Sequence, residues 1–193
     1  GDNSNVVIGR SSPLSTVQEL QVSLDVPDAF KWPSNYGIYS MGPDIAVGAT
    51  AMVAIQTALQ ERFDRVRINF YGCSRHGKRA GWAASLAARA GRPVKALYME
   101  SPGTLIASTQ YVGVCGETLR AMRSLRNNWV SSSVDAIPNL ARTPHDVAHA
   151  LALMCPQTEV VISYSETDWW SNPEGTKRTI EILRRAGCEV EVV

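Results

Sequence analysis

The sequence predicts an α/β fold with a mostly parallel sheet flanked by helices. Three observations carry that expectation. Short apolar runs at Val66–Tyr71, Pro93–Met99 and Glu159–Tyr164 alternate with helix-favouring stretches, the order that builds βαβ units. Within the first run, Val66, Ile68 and Phe70 alternate with polar neighbours and stop at Gly72, as a strand entering a turn does. The chain has 193 residues, 45% of them hydrophobic and 19% charged. That is length enough to bury a sizeable core and is read as one domain, 1–193, with 1–43 as a loop-rich N-terminal segment.

Taken in order, Asn5–Ile8 and Val17–Leu24 read as strands, the second with a slip in its alternation. Pro27, Pro33, Gly37, Gly42 and Pro43 mark the stretch that follows as a loop. Trp32, Tyr36 and Tyr39 lie in it and are expected to pack on the domain. Asp44 is expected to cap a helix, Ile45–Phe63, rich in Ala and Met and apolar on nearly all sides. After the strand Val66–Tyr71 comes a small-residue helix, Arg75–Arg89. The strand Pro93–Met99 closes at Glu100-Ser101-Pro102-Gly103. Residues 104–142 look irregular, with one helix at Glu117–Leu125 and loops at Asn127-Asn128-Trp129 and Ser131-Ser132-Ser133. Pro144 opens a helix, His145–Met154, and the strand Glu159–Tyr164 leads into the loop Glu166–Trp170. Asn172-Pro173-Glu174 starts an amphipathic helix that runs to Arg185 and is stopped by Gly187. Glu189–Val193 begins a last strand.

A net charge of +1 offers no nucleic-acid surface, and no apolar run approaches the roughly 20 residues of a membrane span. The N-terminus, Gly1-Asp2-Asn3-Ser4, lacks the charged-then-apolar signal pattern. Cys73, Cys115, Cys155 and Cys188 stand at wide spacings with no C-x-x-C pair, so no zinc site is expected. On apolar segments the ordinary fate of such cysteines is a buried free thiol, with disulfides left open. His145 and His149 stand four apart on one helix face with no third ligand evident; neither a metal nor another cofactor is expected.

The chemistry is expected at Gly72-Cys73-Ser74-Arg75-His76-Gly77-Lys78. A serine in the tight turn between strand and helix forms a nucleophile elbow, which strains its backbone and lifts its hydroxyl above the sheet. Glycines on both sides let strand and helix approach, and the helix aims unpaired N–H groups at a developing oxyanion. In parallel sheets ligands gather at the carboxyl ends of the strands, and here those ends carry Ser74, Glu100 and Asp168. Glu100 or Asp168 would be the acid that orients a histidine. Each also has a plainer reading, Glu100 as a turn cap and Asp168 as the cap of the helix from Pro173.

The segment 72–78 resembles the G-C-S-R-x-G-K signature of the glucuronoyl esterases, serine esterases of the α/β-hydrolase fold that cleave the ester between glucuronic acid on xylan and lignin alcohols. Glu100-Ser101-Pro102-Gly103 resembles that family's E-S-G segment, whose glutamate is the acid in many members. Pro144-His145-Asp146 with Ala150–Pro156 resembles its P-x-D-H-H helix, and Asp168-Trp169 matches its D-W pair. The likeness spans roughly residues 44–190. It implies Ser74 as nucleophile, Arg75 at the oxyanion, Glu100 or Asp168 as acid, and Lys78 and Trp169 on the sugar. The expected ligand is thus a small-molecule or carbohydrate (uronate) ester. In the family the cysteine beside the nucleophile is bridged to one in a G-x-H-x-H-C segment that also carries the catalytic histidine. Nothing after Asp168 matches that segment, so Ser74 is expected to lack that base and Cys73 that partner. His76, with its side chain expected to point away from the hydroxyl, His145 and His149 remain.

Three readings follow: a serine ester hydrolase; a hydrolase-fold domain without chemistry that serves an assembly; or one part of a two-chain or homo-oligomeric hydrolase whose partner supplies the histidine. With no base in reach, the isolated chain is expected to be a poor catalyst or an inactive one.

Overall fold

The computed structural model describes residues 4–11, 17–24, 41–102, 147–168 and 172–193. The expected helix Glu117–Leu125, the loops on either side of it, the loop aromatics Trp32, Tyr36 and Tyr39, and His145 and Trp169 all lie outside those residues.

Among the described residues, six strands form one sheet: β1 Ser4–Ser11, β2 Val17–Leu24, β3 Val66–Cys73, β4 Ala96–Glu100, β5 Glu159–Ser163 and β6 Val190–Val192, in the order β2-β1-β3-β4-β5-β6. From β3 to β6 every neighbour is parallel, whereas β1 pairs antiparallel with both β2 and β3. β3 is therefore an internal strand, with Val6 opposite Phe70 on one side and Phe70 opposite Leu97 on the other. The parallel part is what βαβ connections produce, because a parallel neighbour can be reached only by a crossover.

The helices are α1 Met41–Arg62, α2 Arg75–Arg89, α3 Val147–Leu151 with a 3-10 turn at Ala152–Met154, and α4 Pro173–Arg185. Four expectations need correction. α1 begins at Met41, so Gly42 and Pro43 belong to its first turn and Asp44 lies inside it. A proline fits there because the first N–H groups of a helix have no intrahelical acceptor to lose. α1 is also not buried all round: Gly48, Ala49, Met52 and Gln56 face inward, while Thr50, Ala54 and Ala58 are exposed, alanine being cheap to leave in water. Asp168 does not cap the last helix. Asn172 does, its Oδ1 accepting from the Glu174 N–H at 3.0 Å. Finally, Cys155 and Cys188 are joined in a disulfide, not left as thiols.

One core cluster links all of this. Ala49 and Met52 of α1, Ala80, Ala83 and Ala84 of α2, Ile68 and Phe70 of β3, Leu97 and Met99 of β4, Leu151, Ile162 and Leu183 are buried together. The inward strand residues alternate, as a pleated strand requires, which leaves Arg67, Asn69, Tyr71 and Cys73 of β3 with Tyr98 and Glu100 of β4 on the opposite face. α2 sits centrally against β3, β4, α1 and α3, and its small side chains allow that close approach. Gly48 of α1 lies directly against the Arg79 side chain, which is 1% exposed. A Cβ at Gly48 would meet that side chain.

Two predictions come from this packing. The disulfide closes a loop with a sequence separation of 33 residues, for which chain entropy gives about 3–4 kcal/mol. Cys155→Ala/Cys188→Ala should lose about that much in urea unfolding, and alkylation without reductant should label Cys73 but neither of the bridged pair. Gly72→Ala has no room: its Cβ would lie 2.7 Å from the Gly77 nitrogen and closer still to the His76 carbonyl. A loss of about 3 kcal/mol is expected on unfolding.

Candidate functional site

The site grows from the place where β3 stops. At Ser74 the chain takes φ 52° and ψ −126°, a region that side chains other than glycine occupy at a cost of about 1–3 kcal/mol. Four close contacts hold it there. The Ser74 N–H donates to the Glu100 carbonyl at 2.9 Å, and the Gly77 N–H returns to the Ser74 carbonyl at 3.0 Å. Gly72 lies against the His76 backbone, and Gly77 against Pro102, whose Cβ would be 3.2 Å from a Cβ on that glycine. The Ser74 side chain makes no cap hydrogen bond to α2, although serine at such a position usually spends its hydroxyl that way. The Arg75 N–H, at the first residue of α2, has no acceptor within the helix.

The carboxyl ends of three parallel strands are level at this point. Cys73 pairs with Glu100, and Glu100 with Ser163. The backbone steps across them: Ser74 N–H to Glu100 O, then Ser101 N–H to Ser163 O at 2.7 Å. Ser101, like Ser74, has a positive φ, 39°, so the two neighbouring strand ends both turn through left-handed residues. Ser74 and Glu100 are thus brought together, and Glu100 is exposed.

Asp168 stands farther on, in the loop after β5. That loop is tied to α4: Lys177 Nζ lies 2.6 Å from Glu166 Oε2 and 3.0 Å from Glu174 Oε1, and the Tyr164 hydroxyl donates to Glu166 at 3.1 Å. The bond from Lys177 holds the Glu166 carboxyl below its usual range, and Glu166 with Glu174 pushes the Lys177 ammonium up. The Asp168 N–H closes the loop by donating to the Ser165 carbonyl at 3.1 Å.

Lys78 is buried, at 4% exposure, so it is not a solvated residue of the helix face. His76 is buried at 7% exposure, and His149 is exposed on α3. The side chain of Arg75 lies outside the described residues, as does Trp169. Among the described residues no group of three or more His, Cys, Asp or Glu side chains could hold a metal ion. No helix there is long and apolar enough to cross a membrane.

One residue escaped the sequence reading. The Tyr71 hydroxyl donates a hydrogen bond to Glu100 Oε2. The bond and the charge of Glu100, with partial burial, push the phenol up to about 12. Burial and then Glu100 also push the Cys73 thiol up, so beside Ser74 it stays a thiol, the weak form of the nucleophile. The signal was present in the alternation of β3: residue 71 shares a face with 73, opposite the core positions 68 and 70.

No protein-family model matches this chain, and no curated protein does. Solved structures do resemble it. One is a carbohydrate esterase family 15 glucuronoyl esterase from Caldicellulosiruptor kristjansonii, at 22% identity and a TM-score of 0.45, covering 61% of this chain. Another is an alpha-beta hydrolase from Vibrio vulnificus, at 20% identity and a TM-score of 0.43, covering 65%. A third is FphF, a fluorophosphonate-binding serine hydrolase of Staphylococcus aureus, at 11% identity and a TM-score of 0.43 over 100% of this chain and 90% of that one. The likeness covers only 33% of the glucuronoyl esterase and 39% of the Vibrio hydrolase.

Proposed function

We propose that the chain is a serine ester hydrolase with Ser74 as its nucleophile. The observation that carries this reading is the strained strand-to-helix turn at Ser74, φ 52° and ψ −126°. Such a turn is costly for a serine unless its hydroxyl is wanted above the sheet. The hydroxyl attacks the ester carbonyl carbon, and an imidazole takes its proton. The carbonyl oxygen, now an anion, is met by the Arg75 N–H, with the Arg75 guanidinium as a second donor. Collapse of the adduct expels the alcohol, which receives the proton from the imidazole, and water then releases the acid by the same steps in reverse. Glu100 or Asp168 holds the imidazole in the tautomer that accepts from serine.

The uronate ester is the substrate class we assign, on the likeness of the segment 72–78 to the glucuronoyl esterase signature. Lys78 is then the group that answers the sugar hydroxyls or the carboxyl-derived end of the substrate, and Trp169 the ring that packs on a sugar face. The imidazole comes from this chain or, in a homo-oligomer, from a second copy of it that approaches over the carboxyl ends of the strands.

Ser74→Ala should abolish hydrolysis of activated esters while leaving the unfolding transition in place. No turnover by the folded wild-type chain on any ester would favour the alternative, a hydrolase-fold domain that serves an assembly without chemistry. For the substrate, a methyl glucuronate ester should be cleaved at least about tenfold faster than a short-chain acyl ester. Equal rates would contradict the uronate assignment and leave the ester-hydrolase reading standing.

A further inference from the structure

We propose that Tyr71 is a positioning residue: its phenol fixes the Glu100 carboxylate beside the Ser74 turn and so selects Glu100 over Asp168 as the acid that orients the imidazole. This rests on the ester-hydrolase reading above and adds to it a residue outside the elbow and the strand-end carboxylates.

The placement follows from the sheet. In the parallel ladder Tyr71 lies opposite Tyr98, and Cys73 opposite Glu100. Tyr71 and Glu100 are therefore diagonal neighbours on one face, a separation that aromatic and long side chains can bridge. The phenol donates to Oε2, which leaves the other carboxylate oxygen as an acceptor. A glutamate at an exposed strand end would otherwise sample several rotamers, and fixing it costs side-chain entropy. The tyrosine lowers that cost before substrate arrives, because it grows from a strand that is internal to the sheet. Glu100 is also fixed at its backbone, where its carbonyl accepts the Ser74 N–H at 2.9 Å. Acid and nucleophile are thus referred to one another through a single peptide contact. The backbone of Asp168 is tied to Ser165, within its own loop.

Tyr71 is suited to this role across the working range of an esterase. With the phenol pushed up to about 12, it remains a donor at every pH where serine hydrolysis proceeds. The titratable groups that face it are Glu100 and Cys73, and both raise it. Tyr98 lies across from it in the register.

Two measurements test this. The first needs no activity: the Tyr71 phenol, labelled with carbon-13 at Cζ and followed by NMR, should titrate near 12 in the wild type and move toward 10 in Glu100→Gln. An unchanged midpoint would overturn the contact. The second is kinetic, on an activated ester. Tyr71→Phe keeps the ring and should melt with the wild type, yet it should lower kcat about tenfold with KM unchanged, as expected for one lost hydrogen bond to a charged group. In the Glu100→Gln background the same substitution should cost nothing further. Ser74-dependent turnover that Tyr71→Phe leaves intact would overturn the positioning role alone. So would a tenfold loss that persists without Glu100. Absence of any Ser74-dependent turnover would overturn the ester-hydrolase reading, and the positioning role with it.

Discussion

The structure turns on the close approach of the end of β3 to the first turn of α2. At Gly72 there is no room for a Cβ, because the His76 carbonyl and the Gly77 nitrogen occupy its place. That approach forces Ser74 to φ 52°, and the bonds to Glu100 and Gly77 hold it there. A turn so short needs a straight, well-buried strand on one side and a small-residue helix on the other. Phe70 and Ile68 supply the first, and Ala80, Ala83, Ala84 and Ala87 the second, all of them buried in one cluster. The strain at one residue, of order 1–3 kcal/mol, is thus carried by a core that, among the described residues, spans three strands and four helices.

The same construction explains why polar groups meet at one edge of the sheet. Parallel strands end level, so Cys73, Glu100 and Ser163 stand side by side, and whatever follows each of them faces the same space. Left-handed turns at Ser74 and Ser101 keep the chain from continuing the pleat. Tyr71 reaches across from one strand to the next, while Cys73, its thiol pushed up by burial and by Glu100, is a quiet neighbour to the serine. The loop bearing Asp168 is braced differently, by the exposed pair of Lys177 and Glu166, an interaction of the kind that contributes little at the surface.

Much of this was legible in the residues. The alternation of Val66, Ile68 and Phe70 against Gly72 marked the strand and its abrupt end, and Asn172-Pro173-Glu174 marked the start of α4. The polar strand ends at Ser74 and Glu100 could be placed because parallel sheets gather function at one edge. What escaped had physical causes. Proline is tolerated in a first helical turn, so Gly42-Pro43 hid the start of α1. Cysteine pairing depends on distance across the fold, and the Cys155–Cys188 link, between residues with Cα atoms 4.7 Å apart, leaves no local trace. The antiparallel pairing of β1 with β3 likewise joins segments remote in sequence. The Tyr71–Glu100 bond needed the register of β3 on β4, which no single strand carries in its own sequence.

The most direct test of the account is where a serine-directed probe lands. The folded chain is treated with a fluorophosphonate, digested and mapped by mass spectrometry. The account predicts one phosphonylated residue, Ser74, in a peptide drawn from the turn between β3 and α2, and no labelling after heat denaturation. A label on any other serine, or a folded chain that takes up none, would contradict it.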